Sequence, residues 1–247
     1  MIEVIPLNHL GEIVPGDDLA ALLSRGQDFR PGDVLVVTQK IVSKAAGLFV
    51  DLNAVTPGAE AQRLAGVTRK DPRLVELILR ESVAVVRAAP HVLITRHRGG
   101  WVMANAGIDQ SNIGPGRVDQ AGDRVLVLPR DPDASAAAIR ARLGAPAPAV
   151  VISDSFGRPW RLGVVNVALG AAGLPALVDR RGDRDRDGRA LAVTQIALAD
   201  QIASAAGLAM GEGAEGVPAA ILRGLAWTAP DAPAAALIRP LSEDLFQ

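Results

Sequence analysis

Residues 153–161 carry the densest group of side chains that could perform chemistry. Asp154 and Ser155 directly follow the apolar run 149–152. The run predicts a buried strand, which would deliver the carboxylate and the hydroxyl to its end. These oxygens suit a hard cation such as Mg²⁺ or Mn²⁺. Two arginines that come next, Arg158 and Arg161, suit phosphate. The segment therefore indicates an enzyme that acts on phosphorylated compounds.

A second segment of the same character lies at residues 105–112, after another apolar stretch. It contains Asp109 and Asn112, and in isolation such a segment more often forms a turn in which Asx side chains bond the backbone. Asp154 could likewise cap the element that follows it. Because one or two carboxylates commonly hold a catalytic divalent ion, the two segments together predict halves of one metal–phosphate site.

Residues 210–216 alternate glycine with acidic side chains. One interpretation is a glycine helix cap followed by a flexible turn. The other is a loop whose backbone N–H groups approach phosphate, with Glu212 as a further metal ligand. The arginine-rich run 180–189 has two interpretations as well, a solvated surface loop or a surface for an anionic substrate.

Composition narrows the classes of function. The 247 residues contain no cysteine, which excludes disulfides and thiolate chemistry, and three histidines without metal-ligand spacing. A formal net charge of −1 and the lack of a long apolar run predict no nucleic-acid partner and no membrane partner. We expect a cytoplasmic protein. Lysine is rare among the cations, yet Lys40 and Lys44 lie close together, which suggests positions that need a compact ammonium.

The rest of the chain predicts the elements that must position these residues. Strands are expected at 2–7, 34–37, 92–95, 102–104, 125–128, 150–153 and 219–222. Helices are expected from Asp17 to Gly26, from Pro72, from Pro132 to Gly144, and over 192–206 with Gly207 as its end. Strands and helices mix without strict alternation, so the fold class is α+β or mixed α/β with two subdomains. Residues 144–148 are the candidate hinge, and residues 230–247 are a tail or linker.

Several ordered segments resemble one family, the coenzyme F420-0:L-glutamate ligases of the CofE type, which also form the N-terminal half of mycobacterial FbiB proteins. The matching segments are 16–20, 32–45, 105–112, 128–133, 153–161 and 210–213. The resemblance spans residues 2 to about 227. FbiB proteins continue into a nitroreductase-like domain, whereas 247 residues have room for a single ligase domain.

The resemblance implies a GTP-dependent ligase that joins L-glutamate to the lactyl carboxylate of F420-0 as an amide, through an acyl phosphate. It also implies further γ-linked glutamates as an option, a divalent metal (Mg²⁺ or Mn²⁺), help from K⁺, and a CofE-like fold in an intertwined homodimer. The alternatives are a related ligase that takes a modified F420 precursor, and a non-catalytic nucleotide-binding partner of another F420 enzyme.

Site residues follow from the resemblance position by position. The metal ligands would be Asp109, Asp154, Ser155 and Glu212, and the catalytic group would be Asp109, Asp154 and Lys44. GTP would contact His9, Leu10, Gly11, Glu12, Gln39, Lys40, Lys44, Asn112, Met210, Gly211, Gly213 and Gly216. Because F420-0 carries a phosphodiester and a carboxylate, we expect Arg158 and Arg161 to bind it.

Overall fold

The computed structural model describes residues 1–114 and 123–244. Its strands are β1 (Glu3–Pro6), β2 (Val34–Thr38), β3 (Phe49–Asp51), β4 (Ser82–Ala89), β5 (Val92–His97), β6 (Val102–Ala104), β7 (Arg124–Leu126), β8 (Ala149–Arg158), β9 (Arg161–Ala172), β10 (Leu177–Asp179), β11 (Gln195–Ala197) and β12 (Ala219–Arg223). Its α-helices are α1 (Leu19–Ser24), α2 (Gln39–Ala45), α3 (Ala59–Thr68), α4 (Pro72–Arg80), α5 (Pro132–Arg142) and α6 (Leu198–Met210).

A five-stranded sheet in the order β1-β12-β2-β8-β9 forms the centre of the structure. Only the β2–β8 pair in it is parallel. The strand β2 is apolar throughout because both of its faces are covered. Val34 and Val36 pack against α6, whereas Leu35 and Val37 pack against α1, α2 and α5. The strand expected at 34–37 is therefore confirmed, and its four valine and leucine side chains are fully buried.

A third apolar cluster lies away from this sheet, where α3 and α4 pack with residues of β5 and β7. The start of α4 is the predicted one, because the Asp71 side chain accepts a hydrogen bond from the Arg73 N–H and Pro72 occupies the first turn. The strands expected at 92–95 and 102–104 are present as β5 and β6, which pair antiparallel. The mixed α/β class is confirmed at this level, and the two-subdomain arrangement stays a prediction.

Two expectations about local structure were wrong. The helix expected over 192–206 begins only at Leu198, because residues 195–197 pair with β10 as a strand, and it continues past Gly207 to Met210. Residues 153–158 are not a loop after a strand. They extend β8 by pairing with β9, a strand missing from the sequence-based prediction. In both places a partner strand distant in sequence decides the backbone conformation.

The candidate hinge and tail can now be placed. Residues 144–148 link α5 to β8, and α5 packs on the same sheet that contains β8. Residues 230–244 lie against the body of the structure, where Asp133 accepts hydrogen bonds from the N–H groups of Ala234 and Ala235. Within residues 1–114 and 123–244, no helix combines the length and the apolar character that a membrane crossing requires.

Candidate functional site

A cleft of about 1170 Å³ opens beyond the carboxyl ends of β2 and β8. These parallel strands end their pairing side by side, at Thr38 opposite Ser153. The chain then turns into α2 on one side and continues along β8 on the other. Carboxyl ends of parallel strands are a common place for ligands, because the loops and helix starts that follow converge there. Residues of the segment 105–112 and of the loop after α6 also line the cleft.

Asp109 and Asp154 form a pair of carboxylates in this cleft. The Gln39 Nε2 donates to Asp109 Oδ2 at 2.6 Å, and the Lys40 Nζ lies 3.4 Å from Asp109 Oδ1. Burial raises the pKa of Asp109, and the Lys40 charge opposes that rise. Burial and the nearby negative charge of Asp109 raise the pKa of Asp154 to about 7. Two carboxylates that disfavour each other's charge form a natural receptor for a cation.

Three of the predicted residues, Gln39, Lys40 and Lys44, contact acidic groups at the site and lie on helix α2. Because it begins directly after β2, Gln39 and Lys40 stand in its first turn, next to the carboxylates. The Ser43 Oγ donates to Gln39 Oε1 at 3.2 Å, which leaves the Gln39 amide N–H groups to face Asp109. The Lys40 Nζ also donates to the Ser111 carbonyl at 3.1 Å. Lys44 follows one turn later on the same face.

The Lys44 ammonium forms an ion pair with Glu12 at 2.6 Å. Lys44 is only 5 % exposed, although it lines the cleft together with Gly11 and Glu12. The first two residues of the predicted segment 9–12 lie outside the cleft lining. His9 and Leu10 are not among the residues that line the cleft, and the His9 ring Nε2 lies 3.2 Å from the Leu22 carbonyl oxygen.

A second group of polar side chains contains Ser155 and Glu212. The Ser155 Oγ donates to Glu212 Oε2 at 2.6 Å. Asn166, opposite Ser155 on β9, donates from Nδ2 to Ser155 Oγ at 3.1 Å and to Glu212 Oε1 at 2.9 Å. Asn166 was missed by the sequence-based prediction. The available signal was a single amide within the apolar run 164–168.

The glycine-rich loop follows α6 directly, and Gly211 is the residue that ends the helix. Gly211 has a φ of +75°, and an added Cβ there would lie 2.3 Å from the Glu215 side chain, so only glycine fits. Glu215 accepts from the Gly213 N–H at 2.7 Å and fixes the turn. The Asn112 Nδ2 donates to the Gly213 carbonyl at 3.1 Å. The predicted residues Met210, Gly211, Gly213 and Gly216 all line the cleft.

The two arginines after the Asp-Ser motif have different positions. Arg158 lines the cleft, and its Nη1 is buried without a hydrogen-bond partner. Arg161, at the start of β9, is exposed and is not among the lining residues. In the loop 180–189 every side chain is exposed, and Arg180 pairs with Asp183 at 2.6 Å.

Part of the cleft lining, here called the apolar wall, consists of apolar side chains that the sequence-based prediction did not include. Its members are Ile94, Val102, Met103, Phe156 and Val164. They come from β5, β6 and the β8–β9 hairpin, so they meet only when these strands assemble. A cleft lined by both apolar and charged groups suits a ligand with a flat aromatic part and an anionic part.

The donor set fits a hard divalent cation, although the fit is incomplete in one respect. Within the described ranges, 1–114 and 123–244, no three His, Cys, Asp or Glu side chains group as a ready metal site. The predicted ligands instead form two pairs, Asp109 with Asp154 and Ser155 with Glu212. All four offer oxygen, and Mg²⁺ commonly takes one or two carboxylates and completes its shell with water and substrate phosphate.

Comparison of the sequence with known proteins places the chain in a family. The chain matches the model of the family described as F420-0:Gamma-glutamyl ligase over residues 8–224. It is 48% identical to the coenzyme F420:L-glutamate ligase of Methanopyrus kandleri, with 100% of this chain and 97% of that protein covered. It is 42% identical to the enzyme of that name from Methanothermobacter thermautotrophicus, again with 100% and 97% covered.

A third relative, the coenzyme F420:L-glutamate ligase of Halobacterium salinarum, is 46% identical, with 88% of this chain and 85% of that protein covered. The matched region of the family model includes every residue that the structure brings together around the carboxylates, from Glu12 to Glu212. With a family match over residues 8–224 and full-coverage relatives at 48% and 42% identity, the chain belongs to the F420-0:gamma-glutamyl ligase family.

Proposed function

We propose that this chain joins L-glutamate by an amide bond to the lactyl carboxylate of coenzyme F420-0, and that GTP supplies the energy. The main support is one observation. Four segments distant in sequence bring an oxygen-rich acidic pair, a second Ser–Glu pair and a nearly buried lysine into one cleft. The activity named for the relatives supplies the reaction that we assign to this cleft.

The proposed reaction has two steps. An oxygen of the acceptor carboxylate attacks the γ-phosphorus of GTP, GDP leaves, and an acyl phosphate forms. The glutamate amine then attacks the acyl carbon, inorganic phosphate leaves, and the amine loses a proton to give the amide. Activation is necessary because a carboxylate oxygen is otherwise a very poor leaving group. Phosphoryl transfer depends chiefly on positioning and charge neutralisation, which this cleft provides without a protein nucleophile.

Each side chain has a defined task in this proposal. Asp109, Asp154, Ser155 and Glu212 would hold Mg²⁺ or Mn²⁺, which neutralises phosphate charge. Lys44 and Lys40 place ammonium groups where phosphate oxygens enter. The loop 210–216 and Asn112 present backbone and amide groups to the nucleotide.

The acceptor would lie along the apolar wall. A flat deazaflavin ring would fit apolar side chains. Arg158, which lines the cleft, would bind a phosphodiester or carboxylate of F420-0. We extend the proposal to an intertwined homodimer, to assistance from K⁺ and to the cytoplasm as the place of reaction. The addition of further γ-linked glutamates belongs to the same proposal.

The deciding experiment measures GDP release with purified protein, GTP and Mn²⁺. Multiple-turnover release that requires both F420-0 and L-glutamate, together with a product heavier by one glutamyl residue in mass spectrometry, supports the ligase. A protein that binds GTP and releases no GDP under any combination is a nucleotide-binding partner instead. Release with a modified precursor but not with F420-0 identifies the related ligase.

A further inference from the structure

Asn166 contacts both members of the Ser–Glu pair and is 8 % exposed. The two contacts use one nitrogen, Nδ2, which carries two N–H groups. A carboxamide with that geometry can satisfy two acceptors at once. Asn166 therefore links Ser155 and Glu212 through a single side-chain nitrogen at the edge of the cleft.

We infer that Asn166 is a positioning residue that holds Ser155 and Glu212 as a preformed pair of oxygen ligands. The inference rests on the proposed function, because the cation and its phosphate are those of the proposed reaction. Ser155 Oγ accepts from Asn166 and donates to Glu212, which leaves one of its lone pairs unused. Without Asn166, the hydroxyl and the carboxylate could rotate to other rotamers, and a cation would have to order them on binding.

The helix α6 contacts Asn166 and restricts its position. A Cβ added at Gly207 would lie 1.7 Å from Asn166 Oδ1, so the helix backbone touches the carboxamide directly. The Ser204 Oγ, one turn earlier, donates to the backbone carbonyl oxygen of Asn166 at 2.7 Å. Glycine inside a helix is destabilising relative to alanine. The close approach explains why glycine occupies position 207, and it confines the Asn166 carboxamide on its Oδ1 side while Nδ2 contacts Ser155 and Glu212.

The experiment titrates Mn²⁺ into the protein with GDP present, by calorimetry or by electron paramagnetic resonance, and needs no turnover. Asn166→Ala and Asn166→Leu both remove the N–H donors, and leucine keeps most of the side-chain volume. Loss of a group that orients metal ligands typically weakens affinity about 10- to 100-fold, and we expect that loss for one class of Mn²⁺ site. Gly207→Ala should shift affinity in the same direction, because it displaces the carboxamide without altering any ligand.

Asp200→Asn is the matched control. The Asp200 side chain accepts from the Ala168 N–H at 2.9 Å and ties α6 to β9 two residues beyond Asn166, but it contacts neither ligand. It should leave Mn²⁺ affinity unchanged. A double-mutant cycle with Glu212→Gln adds a second readout, since Asn166→Ala should cost little more once Glu212 no longer binds metal.

Unchanged Mn²⁺ affinity in a folded Asn166→Leu protein would overturn the inference, as would an equal loss in Asp200→Asn. If every variant at position 166 fails to fold, as judged by circular dichroism, Asn166 is structural and the inference is also overturned. The titration is independent of ligation. A wild-type protein that binds Mn²⁺ but forms no glutamyl product contradicts the proposed function alone.

Discussion

Lys44 Nζ lies 2.6 Å from Glu12 Oε1, and the two partners of this ion pair differ greatly in exposure. The Lys44 side chain is 6 % exposed and that of Glu12 is 44 % exposed. A nearly buried ammonium needs a counter-charge, and here the counter-charge is an accessible carboxylate on the cleft wall. An entering phosphate could take the place of Glu12, so the pair is a direct test of where the nucleotide binds.

Lys44→Ala should weaken GDP binding in the presence of Mn²⁺ by about 10- to 100-fold, because a hydrogen bond to a charged group contributes about 1.5–3 kcal/mol. Lys44→Arg should restore only part of the affinity, since the guanidinium is larger and planar. Lys70→Ala is the control, because Lys70 is outside the cleft. Equal calorimetric affinities for the wild type and Lys44→Ala would remove Lys44 from the nucleotide site.

Glu12→Gln should have the opposite effect on binding. Lys44 would then lack its counter-charge, so we expect tighter GDP binding and a lower melting temperature in the absence of nucleotide. Calorimetry and a thermal melt with and without GDP measure the two effects. Weaker GDP binding by this variant would show that Glu12 itself contacts the nucleotide or its cation.

Asp109→Asn and Asp154→Asn should each abolish ligation while the fold survives. Both carboxylates are assigned to a cation that neutralises phosphate charge, an effect of several kcal/mol, which corresponds to a loss of about 10³-fold or more in kcat. GDP release under limiting Mn²⁺ is the measurement, and Asp200→Asn is the control for losing a partly buried carboxylate elsewhere. Wild-type turnover by either variant would show that the metal site is wrongly assigned.

Arg158→Ala should raise the KM for F420-0 about tenfold and change the KM for glutamate less, because an arginine–phosphate contact is charge-assisted. The sequence alone predicted the same role for Arg161. Since only Arg158 lines the cleft, we expect the effect of Arg161→Ala to be smaller. Arg186→Ala, in the exposed loop 180–189, serves as the control. If alanine at both 158 and 161 leaves the KM for F420-0 unmoved, F420-0 binds elsewhere.

His97 should make stability depend on pH. Its ring is buried against Trp101, its Nδ1 accepts from the Gly99 N–H, and burial together with the Arg98 charge lowers its pKa from 6.5 to about 4. Between about pH 4 and pH 6.5, His97 therefore binds a proton in the unfolded chain but not in the folded chain. Stability from this residue is complete above about pH 6.5 and falls as the pH drops, by up to about 3 kcal/mol near pH 4.

Urea unfolding of the wild type and of His97→Phe, at about pH 7 and about pH 4.5, isolates this contribution. Both proteins share the titration of their carboxylates, including Glu81, which lies 3.9 Å from the His97 ring. The wild type should lose more stability than the variant on acidification. An equal loss would show that His97 accepts a proton as readily in the folded state as in the unfolded chain.

The sequence by itself indicated the candidate groups for chemistry and much of the local structure. Residue type alone makes Asp109, Asp154 and Glu212 candidate oxygen ligands, and the continuous apolar run of β2 requires cover on both faces. The Asp71–Pro72 helix start is equally local, since the cap and the fixed φ of proline act within one turn. Such features need no knowledge of distant residues.

Only the tertiary structure decided how these residues meet. Ser155 and Glu212 are far apart in the chain, and their contact depends on β9 pairing with β8 and on α6 packing against that pair. The same assembly brings Asn166 into contact with both of them, and it leaves Arg158 in the cleft lining while its cross-strand partner Arg161 lies outside. It also makes residues 195–197 a strand by pairing them with β10. Long-range strand pairing and close helix–sheet contact set these outcomes, and neither is encoded in local periodicity.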